Sequence, residues 1–199
     1  MRFQRMPGLM VVAATVIGLA TLVDAQQPVT IQPGDLRLHS IRKDLVRAPD
    51  FGGGSGALGG GKPSTLYNDW LRIETQFETK RIDWADDIVL KFYVLMGRDP
   101  NSKLFSGEVK HVNVARGQQH YSAMFVHPNT VRRYGSGRVE AVAVLLFYQE
   151  RLMGLLSDPP SNERWWERFT PIPGYVLNPL QTPWSVLANE RYEEIKGSP

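Results

Sequence analysis

Trp70-Leu71-Arg72-Ile73-Glu74-Thr75-Gln76-Phe77-Glu78 is the stretch that decides the fold of this 199-residue chain. Side chains alternate across a strand, so Leu71, Ile73, Thr75 and Phe77 share one face and Arg72, Glu74, Gln76 and Glu78 the other. That is a strand with one face in a core. Downstream, Ile88 to Met96 places Ile88, Leu90, Phe92 and Val94 together, and its β-branched and aromatic content predicts a central strand. Asp83 to Asp87 and Gly97-Arg98-Asp99-Pro100-Asn101 supply the turns around it. Glu108 to Val114 and Gln119 to Val126 flank Arg116-Gly117 and read as the arms of a hairpin.

Further along, Val139 to Tyr148 is apolar on both faces toward its end, which suits the middle of a sandwich. Gln149-Glu150-Arg151 reads as the turn into a returning strand, Leu152 to Leu156, before Asp158-Pro159-Pro160 breaks the chain. Tyr175-Val176-Leu177 is a further short strand. Leu187, Arg191 and Ile195 stand at helical spacing and predict a C-terminal helix within Trp184 to Lys196. The resulting expectation for residues 66–199 is a mainly β domain, an immunoglobulin-like antiparallel β-sandwich with a short C-terminal helix. A jelly roll or small barrel shares this strand pattern. An α/β fold is disfavoured, because no helix-period segment alternates with the strands.

Before this domain, Gly52 to Gly61 holds seven glycines in ten positions, so 49–65 reads as a flexible linker. It is no P-loop, because Gly61-Lys62 runs into Pro63 where Ser or Thr is needed. Residues 26–48 form an N-terminal arm in which Leu36, Leu38 and Ile41 allow a short strand. Residues 1–25 carry the marks of an export signal: Arg2 and Arg5, an apolar run from Leu9 to Val23, and the cleavage-like Val23-Asp24-Ala25. The apolar run is shorter than the roughly 20 residues a membrane span needs. Cleavage would leave the mature chain membrane-proximal but not spanning, in the periplasm, at the outer membrane or on the cell surface. Pro7-Gly8 before an apolar run also suggests a prepilin, but Ala13 stands where prepilins carry Glu.

With no cysteine, disulfides, thiolate metal sites and a cysteine nucleophile are all excluded. Removing Arg2, Arg5 and Asp24 leaves 21 basic against 19 acidic residues and no basic block. Nucleic acid is therefore not an expected partner, since its binding depends on clustered cations.

Four strings, Trp70 to Phe77, Trp84 to Val94, His120 to Thr130 and Asn178 to Trp184, resemble those of a verrucomicrobial family of exported, immunoglobulin-like proteins encoded among type IV pilus assembly components. The resemblance spans roughly Leu66 to Lys196. It implies a pilus-associated structural role and brings no catalytic residues. The missing prepilin glutamate implies a chain that accompanies a pilus system without being a polymerising pilin.

Sites of chemistry are scarce. His111 and His120 lie on the two arms of the expected hairpin, where a two-residue turn would set His111 opposite Ser122. No acid pattern supplies a third ligand, so they read as surface or partly buried strand residues, and no metal or cofactor is expected. Gly135-Ser136-Gly137 lacks the preceding glycine of a nucleophile elbow and reads as a turn. Carboxylate pairs such as Asp86-Asp87 and Glu193-Glu194 carry no weight without a cleft. The one binding signal is Asn162 to Phe169, whose Arg164, Trp165, Trp166 and Arg168 combine residue types common at interface hot spots. The bland alternative is that one Trp closes an end of the sandwich together with Phe169. These readings predict a non-enzymatic exported structural or interaction protein with pilus or secretion components as partners, and with oligomerisation open to it. A carbohydrate-binding module using exposed aromatic platforms is the alternative.

Overall fold

The computed structural model describes residues 31–32, 34–49, 69–136 and 138–197. The expected export signal, and the glycine-rich linker beyond Pro49, lie outside them. Among the described residues nine strands form two sheets. One is ordered β1-β2-β5-β9 and comprises Leu36–Arg47, Asp69–Ala85, Val114–Val126 and Val176–Leu177. The other is ordered β7-β6-β3-β4-β8, with Arg151–Asp158, Ala141–Tyr148, Ile88–Met96, Lys103–His111 and Ile172–Pro173. The first, second and fifth strands thus face the seventh, sixth, third and fourth, an immunoglobulin-like division between sheets. All pairings are antiparallel except β4 with β8.

The alternation read in β2 holds, with Leu71, Ile73, Thr75 and Phe77 all buried against the facing sheet. In β3 the buried and half-buried positions alternate along the whole strand. Ile88, Leu90, Phe92 and Val94 join Ile73, Phe77, Phe105 and Leu146 in one core between the sheets. Each large side chain so buried contributes about 1.5–3 kcal/mol. Between β6 and β7 the chain reverses at Gln149 and Glu150, with φ of 47° and 64°. Two left-handed residues in succession make the tight turn that matches strand twist.

Three expectations need correction. Residues 36–47 are no peripheral arm: β1 pairs with β2 along its length, and Leu36 and Leu38 are buried in the core. A bulge between Leu38 and Ser40 interrupts its alternation, which hid the strand's length. Nor is there a hairpin at Arg116-Gly117, because both residues lie inside β5. β4 pairs with β3 and β5 with β2, so the link between β4 and β5 is a crossover between sheets at Val112-Asn113. Asn113 turns there with φ 54°, its backbone N–H donating to Asp86 Oδ1 at 2.9 Å. The C-terminal helix is also shorter than expected: a 3-10 turn at Ser185–Leu187 leads into one α-turn, α2, Ala188–Arg191. Ile195 instead bridges to His111 on β4.

A helix not foreseen, α1 at Pro128–Gly135, joins β5 to β6. Its signals were present: Pro128 in the first turn, His127 as N-cap accepting from the Asn129 N–H, and a left-handed C-cap at Ser136. No helix among the described residues is long and apolar enough to cross a membrane.

Candidate functional site

The four residues singled out as an interaction surface lie on the outside of the second sheet. β3 and β6 are apolar on their outer face as well as their inner one, so that face needs a cover. The cover is a single 3-10 turn, Trp165–Arg168. Trp166 is buried and stacks on Tyr93, with ring centroids 6.2 Å apart and planes 16° from parallel. Trp165 stands edge-on to it at 5.6 Å, half-buried, and its indole N–H donates to Ser157 Oγ at 2.9 Å. Leu104, Ala143 and Leu145 complete the buried part of this second core, with Phe169 at its margin. The Trp pair therefore covers a sheet face instead of closing an end. Arg164 and Arg168 stay exposed, each matched by a neighbour of the same turn: Arg164 donates to Glu167 Oε1 and Arg168 to Glu163 Oε2. Exposed pairs of this kind contribute little stability.

The two strand histidines are a different matter. His111 is wholly buried and His120 nearly so, which corrects the reading of them as surface or partly buried residues. Both rings lie against Phe77, at centroid distances of 6.1 and 5.2 Å. His111 Nδ1 lies 3.1 Å from Glu193 O and 3.3 Å from Glu194 O, both pure acceptors, so Nδ1 carries the proton. Nε2 then accepts from the Ser122 hydroxyl at 2.8 Å. Burial pushes the imidazole down to about 4, so it is neutral at pH 7. His120 Nδ1 meets Glu193 Oε1 at 2.8 Å, and its Nε2 lies 3.2 Å from Thr79 Oγ1.

Ser122, His111 and a backbone carbonyl stand in the order of nucleophile, base and orienting group. Ser122 and His111 are both sealed from solvent, so the pair offers a substrate no approach. What it does is fasten the C-terminal segment: the carbonyls of Glu193 and Glu194 and the Glu193 carboxylate all end on these histidines. The sequence set His111 opposite Ser122 by a hairpin register that does not exist. The contact is real but runs between sheets. Among the described residues no group of three His, Cys, Asp or Glu side chains is gathered as a metal ion would require.

The sandwich leaves two strand edges on one side. β1 and β7 end their respective sheets and lie against each other, joined by Lys43 Nζ to Asp158 Oδ2 at 2.6 Å. On the opposite side the chain itself crosses between sheets, from β8 beside β4 to β9 beside β5. β1 carries Arg37, His39, Arg42, Lys43, Asp44 and Arg47, the charges that guard an edge against pairing. β7 has none from Leu152 to Ser157, and no backbone group there bonds outside its own sheet among the described residues.

One family model matches residues 27–199 of the chain. A crystal structure of a protein from Akkermansia muciniphila matches with a TM-score of 0.65 and 24% identity, over 82% of this chain and 94% of that one. No curated protein matches. The shared fold reaches beyond the 66–199 unit, as the pairing of β1 with β2 requires.

Proposed function

We propose that this chain, which belongs to the family whose model spans residues 27–199, is a non-enzymatic structural and interaction protein, exported to the cell envelope and associated with a type IV pilus-like or secretion assembly. The observation that carries this reading is the uncharged edge of β7, Leu152 to Ser157. An unguarded edge strand is a template for an extended segment of another protein, which adds to the sheet through backbone hydrogen bonds while side-chain pockets select the sequence. The Trp165-Trp166 cover lies next to it, since Leu152 and Leu155 of β7 pack into the same cluster. An incoming strand on β7 would meet Trp165 and the exposed Arg164 and Arg168 at its border. The closed Ser122-His111 pair supports a role without chemistry. The export pattern at 1–25 and the verrucomicrobial resemblance supply the envelope and the pilus link.

Sugar binding is the competing reading, and it has lost one platform, because Trp166 is stacked under the surface on Tyr93. The two readings part in a cross-linking experiment. A photoreactive amino acid is placed at Leu155 on β7 and, as control, at Lys196, and the cells that make the protein are irradiated. The expected result is a covalent adduct at Leu155 with a pilus or secretion component, absent at Lys196. An adduct only with polysaccharide, or none at either position, overturns the assembly role.

A further inference from the structure

The chain has no basic run, yet the fold builds a basic groove. The turn after β3 brings Arg98, and the first residue of β4 is Lys103. The last turn of α1 brings Arg133, and the link to β6 brings Arg138. All four line one groove of about 920 Å³ at the end of the sandwich, in which Glu140 is the single acid. All four are exposed, and none makes an ion pair with a described residue. Several cations elsewhere are matched: Lys80 with Glu78, Arg81 with Asp35, Lys91 with Glu108, Lys110 with Asp87, Arg116 with Asp83 and Arg191 with Glu74. What sets these four apart is that they face one concavity with a single acid, so the groove lacks a matching anion.

The turns around the groove are held firmly. Asn101 N–H donates to Arg98 O at 2.7 Å, Arg138 N–H to Gly135 O at 2.8 Å, and Glu140 N–H to Leu95 O at 2.9 Å. The cations therefore stand on fixed backbone, so less ordering is needed when a ligand arrives. Arg133 lies over the Tyr134 ring at 4.8 Å.

We propose that this groove binds a saccharide bearing tetrahedral oxyanions, sulfate or phosphate esters, held by the guanidinium forks of Arg98, Arg133 and Arg138 and by Lys103. Guanidinium pairs such groups in bidentate fashion, and Glu140, the one acid of the groove, makes no ion pair with any of the four cations. The volume falls in the upper range of small-molecule sites and suits several linked groups better than one free ion. A nucleic acid strand fits less well, since its bases need an open aromatic face. Tyr134 has none to give: Arg133 covers it, Phe105 packs at 5.0 Å and Tyr175 meets it edge-on at 6.0 Å. This site is independent of the β7 edge, and either proposal can fail without the other.

Calorimetric titration of the mature chain tests it with four probes at low salt: a heparin-derived octasaccharide, the same saccharide desulfated, a phosphorylated oligosaccharide and single-stranded DNA of similar charge. Binding of the sulfated or the phosphorylated saccharide is expected, the stronger of the two naming the ester, with none for the desulfated one. Affinity should weaken as salt rises. Arg133→Gln and Arg138→Gln should each weaken binding roughly tenfold, as loss of a charge-assisted contact does. Arg42→Gln, an unpaired cation on β1, should change nothing, and unchanged melting of all three variants would show that the fold persists. Absence of binding, equal loss in Arg42→Gln, or DNA binding as tight as the better saccharide would overturn the proposal.

Discussion

His111 shows how one side chain links burial to pH. It faces Ser122 and two carbonyls, with Phe77 alongside, and the charge-bearing groups that act on it are Glu193 and then His120. Its folded-state value of about 4 lies below the ordinary 6.5 because burial disfavours the imidazolium. Above pH 6.5 neither the folded nor the unfolded chain binds the proton, and His111 adds no pH dependence. Between 6.5 and about 4 only the unfolded chain binds it, so stability falls; below about 4 both bind it and the loss stops. The total is about 3 kcal/mol. His111→Gln should be less stable at pH 7, but its deficit should shrink by about that amount by pH 4, as read from urea midpoints. Parallel pH profiles for the two proteins would contradict this. At this scale the sequence was poorly legible: strand position was visible for both histidines, but their burial was not, because the groups that satisfy them come from Thr79, Ser122, Glu193 and Glu194, far apart in the chain.

Among the elements, the C-terminal segment depends most on long-range contacts. Its Trp184 stacks on Phe125 at 4.5 Å and meets Trp70 edge-on at 5.5 Å. Arg191 donates to both carboxylate oxygens of Glu74, at 2.9 and 3.2 Å, and this pairing holds the guanidinium above its ordinary value. Burial and the same carboxylate raise the Tyr192 phenol. Glu74 is thus on the face read as polar, and polar it is, but it lies 4% exposed under this segment. Arg191→Ala leaves that carboxylate without its fork. Because the Arg191 side chain is itself half exposed, the cost should be about 1–2 kcal/mol, less than for a fully buried pair. Hydrogen exchange should then quicken across residues 184–195 while β2 and β5 stay protected, and a uniform change over the whole domain would contradict the latch. The strands themselves were legible, since period two is local. The false hairpin arose because two alternating runs near a glycine do not specify whether they pair with each other or with strands elsewhere. The C-terminal helix was overdrawn because three residues at helical spacing also fit a single turn followed by an extended bridge.

For the whole molecule, closure of the sandwich on one side rests on Gly107. A Cβ there would lie 2.2 Å from Val176 O, 2.7 Å from Met124 Cε and 2.9 Å from Val176 Cβ. Met124 could turn aside, but the β9 backbone is held to β5 and cannot. Gly107→Ala should therefore cost about 3 kcal/mol through overpacking, a fall in Tm of roughly 6–12 °C for a domain of this size by calorimetry. An unchanged Tm would mean that β9 does not cross there. On the opposite side the charged edge of β1 lies beside the uncharged edge of β7, and that asymmetry positions the proposed docking strand. The sequence by itself determined that the chain is mainly β, which residues face the core in β2 and β3, and that Gln149-Glu150 reverses the chain, because alternation and turn chemistry act between near neighbours. Only the tertiary structure decided that β1 belongs to the sandwich, that Trp166 lies under the surface, that His111 is sealed, and that Arg98, Lys103, Arg133 and Arg138 share a groove. Each of these depends on which distant segments the sheets bring together, and neither period nor composition encodes that choice locally.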